Sequence, residues 1–346
     1  MTLVVIGDNA ERSLPVAAVA ALTSGERVLF TSEHGAGEHS VQVEGTGLSG
    51  TAVIEAVAQD AQFEGDSYVI AAPAKDLESL LSVRPEQFAG KLVLLGPGGF
   101  GGALLATELF RRWGIESPIF GEVPGWIAGG SLSGDRVNIA MRKRNLDIAG
   151  ASDEDTAALL DHFSRYLPEL VAADFLTTSL SNINATIHPP LAILNATRIE
   201  NGEDWHYWDE GLTPGVARLM DAIDSERVNV VTALGGSPRT LLEGALNSYG
   251  GDGMQGDTFF DAVKVFPLYR NRLGPKQLDS RFLTDDVPYG IAAYEQLAER
   301  IGVDHAALTA VRVLSEVILG RELKADTAAV EAIVQYATER SFAGSK

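Results

Sequence analysis

The 346-residue sequence contains no cysteine and only six histidines. The first absence excludes a disulfide framework, a thiolate metal site and a cysteine nucleophile. The second, with no two histidines in His-Glu-x-x-His spacing, argues against a structural or catalytic metal. No apolar run approaches the ~20 residues needed to cross a bilayer, and no basic segment precedes the first apolar run as a secretory leader requires. Basic side chains are in deficit, 27 against 47 acidic, for a formal charge of −20. A field of that sign repels nucleic-acid backbones and anionic lipid, and it disfavours an anionic cofactor unless a local cluster of cations reverses it. These absences point to a cytoplasmic protein acting on small molecules, with neither nucleic acid nor membrane as partner.

What is present is globular. Hydrophobic residues make up 45% and charged residues 21%, which with this length suits two domains, each with its own core. In the first third, short β-branched runs alternate with helical patterns. Residues 3–6, 27–31, 68–72 and 91–95 read as buried strands, and residues 15–22 and 103–113 as helices between them. That alternation predicts right-handed βαβ units and a parallel sheet. Residues 118–122 and 137–141 offer edge strands. Beyond about Asp174 strand signals nearly vanish. Val216, Leu219, Met220, Ile223, Val230, Val231 and Leu234 trace one helical face that Gly235-Gly236 ends, and further helices fit 289–301, 305–319 and 326–338. The expected organisation is an α/β Rossmann-like domain over 1–172 and an all-α domain over 173–346. Val330, Ile333 and Val334 form an apolar face suited to a homodimer or to the core.

In an open parallel sheet the first strand-to-helix turn is the usual phosphate site. Here it reads Gly7-Asp8-Asn9-Ala10-Glu11-Arg12-Ser13, with Asn9 and Arg12 where a dinucleotide fingerprint places glycines. The second strand ends in Thr31-Ser32, without the acid that grips an adenosine ribose. The absent acid fits NADP, its 2′-phosphate held by Arg12, Thr31 and Ser32, and it equally fits no dinucleotide at all.

Two longer segments carry more. The first is Asn182-Ile183-Asn184-Ala185-Thr186-Ile187-His188-Pro189-Pro190, and the second is Arg281-Phe282-Leu283-Thr284-Asp285-Asp286-Val287-Pro288-Tyr289-Gly290. The Pro-Pro pair is expected to hold the chain extended beside a projecting His188. Taken alone, His188 could be a core histidine satisfied by backbone, Arg281 and Asp286 a surface ion pair, and the two asparagines helix caps. The aromatic cluster Trp205-His206-Tyr207-Trp208 reads as packing at a domain junction or as a substrate wall. His34, His39, His162 and His305 read as surface residues.

Together the two segments resemble the octopine/nopaline (opine) dehydrogenase family, whose pattern is an Asn-x-Asn-x-x-x-His-Pro-Pro run and an Arg five residues before an Asp that precedes a Pro-Tyr-Gly turn. Weaker similarity runs through Gly65 to Ala74, with its Pro73-Ala74 turn, and through Pro97-Gly98-Gly99-Phe100-Gly101-Gly102. The chain departs from the family in its first glycine turn, and after Glu122, where an expected Tyr and Cys-Arg are missing. The resemblance implies reductive condensation of an amino acid or amine with a 2-oxo acid through an imine, driven by NADH or NADPH. It implies His188 as acid/base, Asp286 as the group that orients it, and Arg281 and Asn184 as substrate ligands. The cofactor would lie along Gly7, Asn9, Arg12, Ser13, Thr31, Ser32, Pro73 and Ala74. The altered turn keeps two alternatives open: imine chemistry without a nicotinamide on the same His188–Asp286 pair, and a non-catalytic binding or assembly protein.

Overall fold

A computed structural model describes residues 1–33, 36–61 and 63–343; His34 lies outside them. Met1–Ser179 and Leu180–Lys346 form two compact units. The division falls after Ser179 rather than at 172, because strand 170–172 pairs in the first unit's sheet and helix Phe175–Ser179 packs on that sheet.

Among the described residues the first unit is built on eleven strands: β1 (Leu3–Gly7), β2 (Val28–Thr31), β3 (Gly37–Gly45), β4 (Leu48–Val57), β5 (Ser67–Ala71), β6 (Leu92–Leu95), β7 (Ile119–Glu122), β8 (Ala128–Ser133), β9 (Arg136–Arg142), β10 (Leu146–Gly150) and β11 (Leu170–Ala172). They are ordered β11-β10-β7-β6-β5-β1-β2-β4-β3-β9-β8. β7, β6, β5, β1, β2 and β4 run parallel. β1 and β5 are buried at every position, which is why they read as unbroken apolar runs. Residues 118–122 and 137–141 do not form edges. β7 lies between β6 and β10, and β9 between β3 and β8.

Helices α1 (Ala10–Ser24), α2 (Leu77–Ser82), α3 (Gly102–Trp113), α4 (Asp153–Phe163) and α5 (Phe175–Ser179) complete this unit. α1 is buried continuously from Ser13 to Ala21. The cause is a sheet that curls around it: α1 packs against β1, β2 and β4, and also against β8 and β9. α1 begins five residues before the expected start at Pro15, so its N-terminus opens directly onto the Gly7 turn.

The second unit is helical, with α6 (Asn184–Leu194), α7 (Ala196–Glu200), α8 (Pro214–Ala233), α9 (Leu241–Tyr249), α10 (Phe259–Val265), α11 (Arg281–Thr284), α12 (Ala292–Ile301), α13 (Ala306–Leu319) and α14 (Thr327–Ala343). Pro189 and Pro190 do not hold the chain extended; both lie inside α6. Each removes one intrahelical donor, but every side chain from Ala185 to Ile193 is buried, and that packing keeps the segment helical. Val330 and Ile333 are fully buried within the chain, so this apolar face serves the core. His39 is exposed, whereas the partly buried His162 ring packs edge-on against Phe163 instead of standing free at the surface. Among the described residues no helix is long and apolar enough to cross a membrane.

Candidate functional site

In the second unit, His188 and Asp286 meet across 98 residues of sequence: Nδ1 lies 2.7 Å from Asp286 Oδ2. α6 carries the histidine. Asp286 closes α11, its amide donating to the Arg281 carbonyl at 3.2 Å, and a turn of π-helix (Val287–Ile291) follows it. That turn lies against α6 because residue 290 is glycine; a Cβ there would overlap the Ala185 Cβ. Both partners keep 8% exposure, enough to be reached by a ligand and too little for bulk water to screen the pair. Among the described residues no partner reaches Nε2 of the ring.

Aromatic rings surround the pair. Phe282 stacks on the imidazole with centroids 4.3 Å apart, and Tyr207 stands edge-on at 6.1 Å. The Tyr207 hydroxyl is buried and has no hydrogen-bond partner among the described residues. Burial first, and the Asp286 charge next, push that phenol well above its usual range and keep it a neutral donor. Neither Phe282 nor Tyr207 was singled out by the sequence as a neighbour of His188. The second aromatic cluster, expected at a junction or as a wall, supplies Tyr207 to the His188 surround, while Trp208 stacks on Tyr269 behind it.

Arg281 does not pair with Asp286. Its guanidinium is exposed and lies over Phe282, 5.0 Å from the ring centroid, and it has no carboxylate partner among the described residues. Asn182 Oδ1 accepts the Asn184 amide at 3.1 Å, so Asn182 tethers the start of α6. Asn184 itself is the first residue of that helix.

Behind the site, Arg227 is fully buried and grips Asp224 with two nitrogens at 2.7 and 2.9 Å. It also donates to the carbonyls of Leu180 and Arg239. Asp224 accepts the Leu241 amide at 2.6 Å, and Tyr294 donates to the Leu180 carbonyl at 2.7 Å. The segment leading into α6 is therefore fixed to α8, α9 and α12.

In the first unit, the carboxyl edge of the parallel strands carries the Gly7 turn. A Cβ on Gly7 would come within 2.8 Å of the Asn9 carbonyl, so the tight turn requires this glycine. Asn9 precedes α1 but makes no side-chain cap. Arg12 does not stand free; it pairs with Asp8 at 2.9 Å and covers Trp126 at 4.8 Å. The Thr31 hydroxyl accepts the Gly7 amide at 2.9 Å, and the Ser13 hydroxyl donates to the Thr31 carbonyl at 2.8 Å. Thr31 and Ser13 thus stitch the turn to β2. Asp8 Oδ1 and Asn9 Oδ1 are buried acceptors without a partner among the described residues. Ser32 follows β2, and the Pro73-Ala74 turn follows β5 and touches the next glycine turn, where a Cβ on Gly99 would sit 3.0 Å from the Ala74 Cβ.

Glu122, at the end of β7, is fully buried. Burial raises its carboxyl to about 7, against the opposing pull of the Ala103 amide and the Ser179 hydroxyl.

Residues 171–338 match the family described as NAD/NADP octopine/nopaline dehydrogenase, alpha-helical domain. The opine dehydrogenase of Arthrobacter sp. (strain 1C) is 29% identical over 298 residues, covering 84% of this chain and 82% of that protein. Among solved structures, octopine dehydrogenase with NADH and L-arginine superposes with a TM-score of 0.72 at 15% identity, covering 97% of this chain and 96% of that one. NADP+-bound yersinopine dehydrogenase gives 0.69 at 15% identity, covering 98% and 99%.

Proposed function

We propose that the chain is a member of the octopine/nopaline dehydrogenase family, whose helical domain residues 171–338 match, and that it joins an amino acid or simpler amine to a 2-oxo acid and reduces the resulting imine with NADH or NADPH. The observation that carries this reading is the His188–Asp286 bond of 2.7 Å, with Nε2 left unpartnered in an aromatic surround. A carboxylate only accepts, so the shared hydrogen sits on Nδ1 and the neutral ring presents Nε2 as a base. Nε2 takes a proton from the nitrogen that attacks the oxo carbon. It passes that proton to the oxo oxygen, which becomes the carbinolamine hydroxyl, and then relays the nitrogen's second proton to that hydroxyl as it leaves as water, so the ring ends as it began. Asp286 holds the tautomer and stabilises the transient imidazolium. Phe282 and Tyr207 keep bulk water from the ring. Arg281, exposed and without a carboxylate partner, suits a bidentate grip on a substrate carboxylate, and Asn184 contributes at the head of α6.

The residues of the first turn fit a nicotinamide dinucleotide. The uncapped N-terminal amides of α1 suit a pyrophosphate, and the unpartnered acceptors on Asp8 and Asn9 suit ribose hydroxyls. Gly7 permits close approach. Arg12 neutralises Asp8, Ser13 and Thr31 brace the turn, and Ser32, Pro73 and Ala74 border the same edge. When bound, the nucleotide supplies the hydride that the imine carbon accepts.

The test is a titration with NADPH and NADH followed by a panel of amines and 2-oxo acids. Nucleotide binding and amine-dependent oxidation are expected. H188Q and D286N should lower kcat by roughly 10²–10⁴ with nucleotide affinity retained. Absence of nucleotide binding at millimolar concentration, or an H188Q variant as fast as the parent, overturns the reading.

A further inference from the structure

The loop 123–127 leaves β7 and runs along the carboxyl edge of the sheet. Gly98 donates to the Val123 carbonyl at 3.0 Å, and a Cβ on Gly96 would meet Ile127 Cδ1 at 2.8 Å. At its middle, Trp126 lies under Arg12 of the first turn of α1. The loop therefore crosses from the glycine turn after β6 to the dinucleotide-type turn after β1. Beside it runs the return strand connection, in which the Lys143 amide donates to the Ile127 carbonyl at 3.4 Å.

Lys143 is unusual in this acidic chain. Among the described residues its ammonium has neither an ion pair nor a hydrogen bond. Its neighbour Arg142 is satisfied by Glu169 at 2.7 Å. The ammonium rests on Gly125 so closely that a Cβ there would overlap Nζ. As a residue Lys143 keeps some exposure, yet burial without a counter-charge pushes its ammonium down to about 8. A cation placed this way costs folding energy and returns nothing within the free chain. Nearby, the turn's own cation, Arg12, is already neutralised by Asp8.

We infer that Lys143, seated on Gly125 beside Trp126, is an oxyanion-binding side chain of this edge, taking a cofactor phosphate or a substrate carboxylate. A charge-assisted bond from Nζ supplies the local positive potential that the acidic chain and the glycine-poor turn lack. The inference rests on the dehydrogenase reading for the nucleotide, but not for oxyanion chemistry as such.

The experiment uses the full chain, K143Q and G125A, whose added methyl displaces the ammonium while keeping its charge. Each is titrated with inorganic pyrophosphate, oxalate, NADPH and NADH, read by thermal shift and nicotinamide fluorescence. With the ligand absent, K143Q should melt no lower than the parent, since the Lys143 ammonium bonds to nothing among the described residues. Affinity for one class of anion should fall by about tenfold or more in both variants. Loss for pyrophosphate and the nucleotides identifies a phosphate site; loss for oxalate alone identifies a carboxylate site. Equal affinities for all four ligands, or a K143Q protein that melts lower without ligand, overturns the inference. A parent chain that binds pyrophosphate or oxalate but neither nucleotide defeats the dehydrogenase reading and leaves the oxyanion site standing.

Discussion

Glu122 shows how one side chain can tie stability to pH. Its carboxyl has no exposure, and burial raises it to about 7 from an ordinary 4.5. The folded protein therefore favours the protonated form. The stability it contributes is complete below about 4.5, declines as pH rises, and is gone above about 7. The loss amounts to about 3 kcal/mol, at 1.36 kcal/mol for each unit of difference. E122Q cannot ionise, and it should flatten the decline between pH 5 and 7.5 in urea unfolding. A variant with the parent's slope would assign the pH dependence to other groups. At the same scale, the pairing of His188 with Asp286 was legible because both stand in motifs of fixed spacing. Tyr207 and Phe282 were not, since their contact with the ring joins segments 19 and 94 residues from it and leaves no periodic trace. Lys143 was hidden for a related reason: lacking a partner is a property of space, not of sequence.

Among elements, the parallel strands and α8 were readable from their apolar patterns, and the failures have local causes. The hairpin of β3 and β4 turns on Thr46-Gly47, both at positive φ. Threonine rarely occupies that region, so the usual Asn-Gly signal is missing. α6 runs through two prolines because packing outweighs their local preference. Its entry is fixed by Arg227, which binds α8 to the Leu180 carbonyl and to the residues before α9. R227M leaves Asp224 buried without its cation. It should cost about 3–5 kcal/mol, the usual penalty for halving a buried pair. Denaturant unfolding measures the loss, and a cost below 1 kcal/mol would show that water or another cation reaches Asp224. R227M should also lower activity beyond its fraction unfolded, since α6 carries His188.

For the whole molecule, the charge of −20 acts at distances where individual side chains do not. An anionic nucleotide is repelled during approach and attracted only within reach of local donors. Salt screens the long-range part first, with a Debye length of about 30 Å at 0.01 M and about 8 Å at 0.15 M. The association rate of NAD(P)H in stopped flow should therefore rise across that range, the reverse of an electrostatically steered encounter. A rate that falls with salt would mean that local cations dominate the approach.

The curl of the sheet around α1 has a consequence for what sequence change the protein tolerates. A helix on the surface of a sheet has an outer side that accepts almost any residue. α1 has none between Ser13 and Ala21, where strands enclose it from opposite sides. Ala17, Ala18 and Ala20 have no exposure at all, and every residue of the stretch is buried with them. In a saturation library this stretch should behave as a solid block, rejecting bulk at every position without the three-to-four-residue rhythm of permissive sites found along ordinary helices.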